Sequence, residues 1–104
     1  MNGWEKGNVW FYYDSQAGHE RPGVIVGSEE GEQDVLLAKL TTHSPRNFFD
    51  HQLEFWQEYG LKKPSIVRCT DLMYIKKSEL KFRVAKVDRE LAEIKNKIAM
   101  YILK

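Results

Sequence analysis

The stretch Val9-Trp10-Phe11-Tyr12-Tyr13 is followed by Ala17-Gly18-His19-Glu20-Arg21-Pro22 and then by Gly23-Val24-Ile25-Val26-Gly27. Aromatic and β-branched residues fill the first and third of these runs, which predicts two strands. The polar segment between them is predicted to be a loop that carries cationic and acid/base groups. Binding and catalytic residues concentrate on loops at strand ends, but a polar hairpin turn with an incidental histidine also explains the pattern.

The composition indicates one soluble domain over residues 1–104. The chain has 104 residues, of which 42% are hydrophobic and 30% are charged. No apolar run approaches the roughly 18 residues that would span a membrane, and the N-terminus does not resemble a signal peptide. Cys69 is the only cysteine, so no internal disulfide can form. These features together predict a cytoplasmic protein without a membrane partner.

The charge is unevenly distributed along the chain. Residues 1–60 contain four Lys or Arg against ten Asp or Glu, whereas residues 61–104 contain twelve against five. Such asymmetry favours an anionic partner, either a nucleic acid or an acidic protein segment. The alternative is that the two halves interleave in space and their charges mix.

The rest of the chain predicts a mainly β protein with helices, of the α+β class. Further strands are predicted at Asp34–Thr41, Ser65–Cys69, Leu72–Ile75 and Arg83–Val87, with room for a bulge near Thr70 and Asp71. Leu53–Trp56 fits either a short strand or a helical turn, and Lys77–Leu80 fits one helical turn.

A terminal helix is the clearest predicted element. Asp88 suits the N-cap position, since its carboxylate can accept a backbone N–H of the first turn. Apolar residues then recur at helical spacing and form one stripe, which predicts core or dimer packing. The members of this stripe are Leu91, Ile94, Ile98, Tyr101 and Ile102.

The candidate site residues are groups that suit a phosphate. The histidines and Cys69 lack the spacing of a zinc site, so we expect no metal and no cofactor. There is also no Walker loop and no G-x-G-x-x-G. What remains are His19, Glu20 and Arg21 in one segment, Thr41 and Thr42 at a strand end, and Arg68 near another. Such a set could cleave RNA through attack of the ribose 2′-OH on its own phosphate.

The order of these motifs resembles the PemK/MazF toxins of type II toxin–antitoxin systems, in particular the Kid/PemK branch. The resemblance covers nearly the whole chain. The matching segments are Gly7–Trp10, Ala17–Pro22, Val24–Val26, Leu40–Thr42, Ile66–Cys69 and Val84–Leu91.

The resemblance implies a small SH3-like β-barrel with a C-terminal helix, usually a homodimer. It also implies a metal-independent endoribonuclease that cleaves single-stranded RNA, without a cofactor. A cognate antitoxin with an acidic tail would neutralise it by covering the RNA site.

The resemblance also suggests roles for individual residues. Arg21 matches an arginine that contacts the scissile phosphate, and Thr41 matches a threonine that helps to position it. His19 matches a substrate-contacting histidine, and Arg68 matches an arginine proposed as general acid. Glu20, Thr42, His43 and Asp71 are expected as further substrate-binding residues.

Two departures from the family pattern keep other functions open. His19-Glu20 is joined directly to Arg21-Pro22, so the segment between these two pairs is shortened. The Kid-like branch has an aspartate where this chain has Thr70, and only a bulge would place Asp71 on the same face. The alternatives are a catalytically weakened relative that binds nucleic acid or an antitoxin, and a CcdB-like toxin directed at gyrase.

Overall fold

Six antiparallel strands and one helix make up the computed structural model, which describes residues 3–104. The strands, which follow one another along the chain, are β1 (Asn8–Asp14), β2 (His19–Gly27), β3 (Asp34–Thr41), β4 (Asp50–Gln52), β5 (Ile66–Lys76) and β6 (Leu80–Lys86). A 3₁₀ turn, Lys77–Glu79, joins β5 to β6, and helix α1 covers Leu91–Leu103. The predicted α+β class is therefore confirmed.

The sheet has the strand order β4-β5-β3-β2-β1-β6 and remains open. Its edges, β4 and β6, lie at opposite ends of this order, so within the described residues the sheet does not close into a full barrel, while the expected α+β class fits. β4 has only three residues, and sequence periodicity does not predict so short a strand.

Both faces of the sheet carry a core, as expected when side chains alternate along strands. One face packs against α1 through Ile94 and Ile98, which join a cluster that includes Val24, Ala38 and Val67. The other face holds a separate buried cluster of Tyr12, Ile25, Val35, Leu37 and Leu80.

The segment predicted as a loop is the beginning of β2. The register pairs Tyr12 with Arg21 and Asp14 with His19, so the loop prediction for His19–Pro22 is wrong. The Asp14 carboxylate closes the hairpin by accepting the N–H groups of Gln16 at 3.0 Å and Ala17 at 3.3 Å. Because this turn needs only residues 15–18, the next residue can already pair as strand.

The bulge near Thr70 and Asp71 is present within one continuous strand. Lys39 of β3 pairs with Arg68 and its neighbour Ala38 pairs with Leu72, so three residues of β5 lie opposite no residue of β3. Cys69 and Leu72 both pack on the face that carries α1. The alternation of side chains between the two sheet faces is therefore shifted by one residue across Thr70–Asp71. The predicted division into two strands is wrong because the ladder resumes after the bulge.

Two smaller predictions also need correction. The N-cap of α1 is Glu90 rather than Asp88, and no side chain caps the helix there. The strand β6 begins at Leu80 instead of Arg83. Of the two alternatives for Leu53–Trp56, the structure has the turn. Within residues 3–104, no helix is both long and apolar enough to cross a membrane.

Candidate active site

A groove of about 670 Å³ opens at the end of the sheet where β2 begins and β3 ends. It collects six of the eight predicted site residues, namely His19, Glu20, Arg21, Thr41, Thr42 and His43. The register places the start of β2 beside the end of β1, and β3 is its other neighbour. Residues separated along the chain by about 20 positions therefore meet at one end of the sheet.

At the groove, the Arg21 side chain is held by an ion pair. Its Nε lies 3.5 Å from Asp14 Oδ2, an ion pair without hydrogen-bond alignment, and 38% of its side chain is exposed. Among residues 3–104, the guanidinium has no hydrogen bond. Its remaining N–H donors can therefore bind an anion in the groove.

Tyr12 lies directly across the hairpin from Arg21 and is 2% exposed. Its hydroxyl has no hydrogen-bond partner in the described part of the chain. Burial raises the pKa of Tyr12, the carboxylates of Asp14 and Asp71 raise it further, and Arg21 lowers it in part. The phenol therefore stays neutral and keeps its proton to donate.

The polar groups at the end of β3 and the start of β2 are held by local hydrogen bonds. The Thr41 hydroxyl accepts the backbone N–H of His43 at 3.3 Å. His19 Nδ1 lies 3.0 Å from the carbonyl oxygen of Glu20, and the imidazole is exposed. His43 is exposed as well, so the imidazole rings of His19 and His43 can both reach a ligand in the groove.

Arg68 and Asp71 do not line the groove. Arg68 pairs with Lys39, which in turn pairs with Gly23, so Arg68 shares a sheet face with Arg21 but lies two strands away and two residues further along, at roughly 12 Å. Its side chain is 12% exposed, with Nη1 3.8 Å from Asp50 Oδ2. Arg68 is therefore already paired with a carboxylate.

Asp50 also pairs with a second arginine. Arg46 donates to its two oxygens at 2.9 and 3.1 Å. These hydrogen bonds, and Arg68 more weakly, hold the pKa of Asp50 below its ordinary value against the effect of burial. Asp71 lies within electrostatic range of both Arg46 and Tyr12. The bulge thus turns Asp71 towards the Tyr12 face.

Two groove residues were missed by sequence reasoning. Lys62 and Lys63 line the wall opposite the hairpin, in a segment predicted only as a loop. A Lys-Lys pair between Gly60 and Pro64 was the signal in the sequence that could have found them. Among residues 3–104, no group of His, Cys, Asp or Glu is placed to hold a metal ion.

A family model for the PemK-like, MazF-like toxins of type II toxin–antitoxin systems matches residues 5–102. The chain belongs to this family. The resemblance read from the motif order is therefore confirmed. No curated protein sequence matches the chain.

Solved structures show the same PemK/MazF fold. A mycobacterial endoribonuclease bound to its cognate antitoxin superimposes with a TM-score of 0.80 at 20% identity, covering 93% of this chain and 92% of that one. The Mycobacterium tuberculosis toxin MazF-mt6 gives 0.76 at 17% identity, with 91% and 95% covered. A MazE–MazF structure from Deinococcus radiodurans gives 0.74 at 15% identity, with 94% and 93% covered.

Proposed function

We propose that this PemK/MazF family member is a metal-independent endoribonuclease toxin that cleaves single-stranded RNA in the cytoplasm. The observation that carries the proposal is the groove, which joins Arg21 and His19 to the hydroxyls of Thr41 and Thr42. A planar cation beside hydroxyl and imidazole groups suits a phosphodiester, which needs charge neutralisation and proton transfer.

The reaction would begin with attack of a ribose 2′-oxygen on the adjacent phosphorus. A base takes the 2′-OH proton, the bond between phosphorus and the 5′-oxygen breaks, and that oxygen receives a proton. The products are a 2′,3′-cyclic phosphate and a free 5′-hydroxyl. Arg21 would neutralise the charge that develops on the phosphoryl oxygens.

Three groups compete for the role of base. His19 ranks first because imidazole exchanges protons near neutral pH and this ring is exposed at the groove. Asp71 ranks second, since the bulge turns it to the Tyr12 face although it does not line the groove. Glu20 ranks last because its place next to Arg21 on β2 suits a structural partner of that cation better than a base.

Arg68 would serve as the general acid only if the RNA extends across the sheet. It lies on the same face as Arg21, beyond Gly23 and Lys39. Packing favours glycine at position 23, since a Cβ there would meet the buried Leu37 side chain at 3.3 Å. An RNA strand that crosses β2, β3 and β5 could thus touch both arginines.

We also propose that a cognate antitoxin with an acidic tail neutralises the toxin and that the toxin acts as a homodimer. A tail of carboxylates would compete with RNA for Arg21, Lys62 and Lys63. Similar structures include toxins bound to their antitoxins, which supports a partner of this kind.

Two observations favour a second function, a weakened relative that binds RNA or an antitoxin without cleaving. Thr70 replaces the carboxylate of the Kid-like pattern, and Arg68 is already paired with Asp50. Both features would lower catalysis without removing the cationic groove.

The test is incubation of the purified protein with a long single-stranded RNA, with and without EDTA. We expect cleavage in both, with 5′-hydroxyl ends, and no cleavage of a fully 2′-O-methylated copy. Binding of RNA without any cleavage would favour the weakened relative instead. Loss of cleavage in EDTA would reject the metal-independent mechanism.

A further inference from the structure

The basic wall of the groove belongs to a loop that closes on itself. Residues 53–65, here called the 53–65 loop, leave β4 and return to β5. The Leu53 N–H donates to the Ser65 carbonyl at 2.9 Å, which brings the two ends of the loop together. Gly60, Lys62 and Lys63 of this loop line the groove.

One buried carboxylate holds this loop to the start of α1. Glu90 Oε1 accepts from His51 Nε2 and from the Glu54 N–H, both at 2.9 Å. Glu90 Oε2 accepts from the Phe55 N–H at 3.0 Å and from the Tyr59 hydroxyl at 2.9 Å. Four donors use the full capacity of an ionised carboxylate, and three of them come from the loop.

The Glu90 carboxylate therefore stabilises the 53–65 loop and does not cap the helix. Glu90 is the N-cap residue of α1, yet no side chain caps that helix, and the residue is 2% exposed. Burial raises the pKa of Glu90, but the hydrogen bonds from Glu54, Phe55, His51 and Tyr59 together hold it below its ordinary value. The carboxylate stays ionised and bound.

Hydrogen bonds within the loop also fix the backbone on either side of Lys62 and Lys63. The Leu61 N–H donates to the Trp56 carbonyl at 3.1 Å, and the Ser65 hydroxyl donates to the Lys63 carbonyl at 2.9 Å. Leu61 also packs against the core on the α1 side of the sheet. Lys62 and Lys63 thus project from a fixed backbone into the groove.

The two lysines are exposed and able to bind an anion. In the described part of the chain, no carboxylate lies within ion-pair distance of either ammonium group. They line the groove together with Arg21, which itself keeps donors free. A polyanion in the groove would meet Arg21 on the hairpin side and the lysine pair on the other.

We propose that Lys62 and Lys63 bind a backbone phosphate of the RNA next to the one at Arg21, and that Glu90 is the positioning residue for this interaction. The inference rests on the proposed function, since it takes RNA as the occupant. A Lys ammonium binds phosphate as a point charge and carries no base preference. The lysine pair should therefore set affinity and register along the strand rather than sequence choice.

The first test measures binding of a 2′-O-methyl single-stranded RNA, which cannot be cleaved, at several salt concentrations. The double variant K62A/K63A should bind more weakly, and its salt slope should fall by about 0.7 for each phosphate that the variant no longer neutralises. The control K81A/K95A removes the same net charge outside the groove and should keep the parental slope.

The second test asks whether Glu90 acts through the lysines. Glu90→Gln should weaken RNA binding in the parent but have no further effect in the K62A/K63A background, because the lysines that it positions are then absent. Tyr59→Phe, which removes one of the four donors, should show the same pattern with a smaller effect if Glu90→Gln does not fold.

The outcomes separate this inference from the proposed function. If the parent does not bind RNA at all, both the proposed function and this inference are rejected. If the parent binds and K62A/K63A matches K81A/K95A, only the role of the lysines is rejected. If K62A/K63A loses affinity for an acidic peptide but not for RNA, the lysines serve a protein partner and the inference is overturned.

Discussion

Tyr12 and Arg21 form a directly paired position of the β1–β2 ladder, and each has a polar atom without a hydrogen-bond partner among residues 3–104. These atoms are the Tyr12 hydroxyl and Arg21 Nε. Both atoms are shut off from solvent, Arg21 Nε lies 3.5 Å from Asp14 Oδ2, and of the two residues only Arg21 lines the groove. The buried phenol thus lies beside a guanidinium whose other N–H groups remain available to a ligand.

Arg21→Ala should nearly abolish RNA cleavage while the protein stays folded. Loss of one preorganised donor to a developing anion typically lowers the rate by about 10²–10³-fold. Arg21→Lys should restore little, since a point charge cannot reproduce a bidentate interaction. Single-turnover cleavage rates, with circular dichroism as the folding control, check this. A folded Arg21→Ala protein with the parental rate would remove Arg21 from the site.

Tyr12→Phe should leave both stability and RNA binding nearly unchanged. The hydroxyl has no partner in the described chain, so its removal should change the free energy of unfolding by less than about 1 kcal/mol. RNA affinity should stay at the parental value, because Tyr12 is 2% exposed and does not line the groove. Urea unfolding and anisotropy titration measure the two quantities. A variant with weakened affinity and unchanged stability would show that the hydroxyl contributes to RNA binding.

The pH dependence of cleavage should identify the base. If His19 accepts the 2′-OH proton, the rate falls on the acid side of neutrality, and this limb disappears in His19→Ala. Matched alanine variants of Asp71 and Glu20 serve as comparisons. Should His19→Ala keep both the limb and the rate, His19 only touches the substrate and Asp71 becomes the leading candidate.

Glu90→Gln should destabilise the protein most near neutral pH. The amide leaves at least one buried donor unmatched, at a cost of about 3 kcal/mol. Because the folded pKa of Glu90 lies below its reference value of 4.5, its contribution is complete above that pH and is lost as pH falls through the folded pKa. The stability difference between parent and variant should therefore shrink in acid.

Urea unfolding at neutral pH and near pH 3 measures this difference. Asp50 has a lowered pKa in both proteins, so Glu90→Gln should keep part of the acid sensitivity. A difference that does not change with pH would show that the Glu90 charge contributes nothing to stability.

Self-association should depend on the β6 edge. Phe82 is 48% exposed and stacks on Phe11 with ring centroids 4.9 Å apart. Together with exposed Val84 it gives an apolar strip that a second copy can cover. We expect a dimer at micromolar concentration in sedimentation, and a monomer for Phe82→Lys.

Tyr74→Lys is the matched control, since Tyr74 is 73% exposed but lies on β5. It should leave the dimer intact. A parent that remains monomeric across the micromolar range would reject the homodimer, and equal weakening in both variants would exclude the β6 edge as the interface.

Strands whose residues follow a local pattern were predicted correctly from the sequence. The apolar runs at Val9–Tyr13 and Asp34–Thr41 became strands, because period-2 and β-branched signals act within a few residues. The groove residues His19, Arg21 and Thr41 were also predicted, from their phosphate-binding chemistry at strand ends and from the order of the motifs. That these residues meet depends on the β2–β3 register, which no local pattern encodes.

Interactions between distant residues explain the failures. Asp88 suits the N-cap position by propensity, but Glu90 occupies it, and the Glu90 carboxylate accepts from four donors 31 to 39 positions away. β4 pairs over only three residues and gives no periodic signal. The segment His19–Pro22 looked like a loop because its residues are polar, whereas backbone pairing with β1 decides its conformation.

The long reach of the Glu90 hydrogen bonds has a consequence for the order of folding. The β1–β2 hairpin that carries Arg21 joins neighbours in the chain, whereas the Glu90 hydrogen bonds to the 53–65 loop require closure over more than 30 residues. Loop closure of that length carries an entropic cost before its hydrogen bonds form, so such bonds form late and open first. We expect partly folded molecules to hold the arginine in place while the lysine wall is still unformed. RNA cleavage would then require that the Glu90 hydrogen bonds have formed.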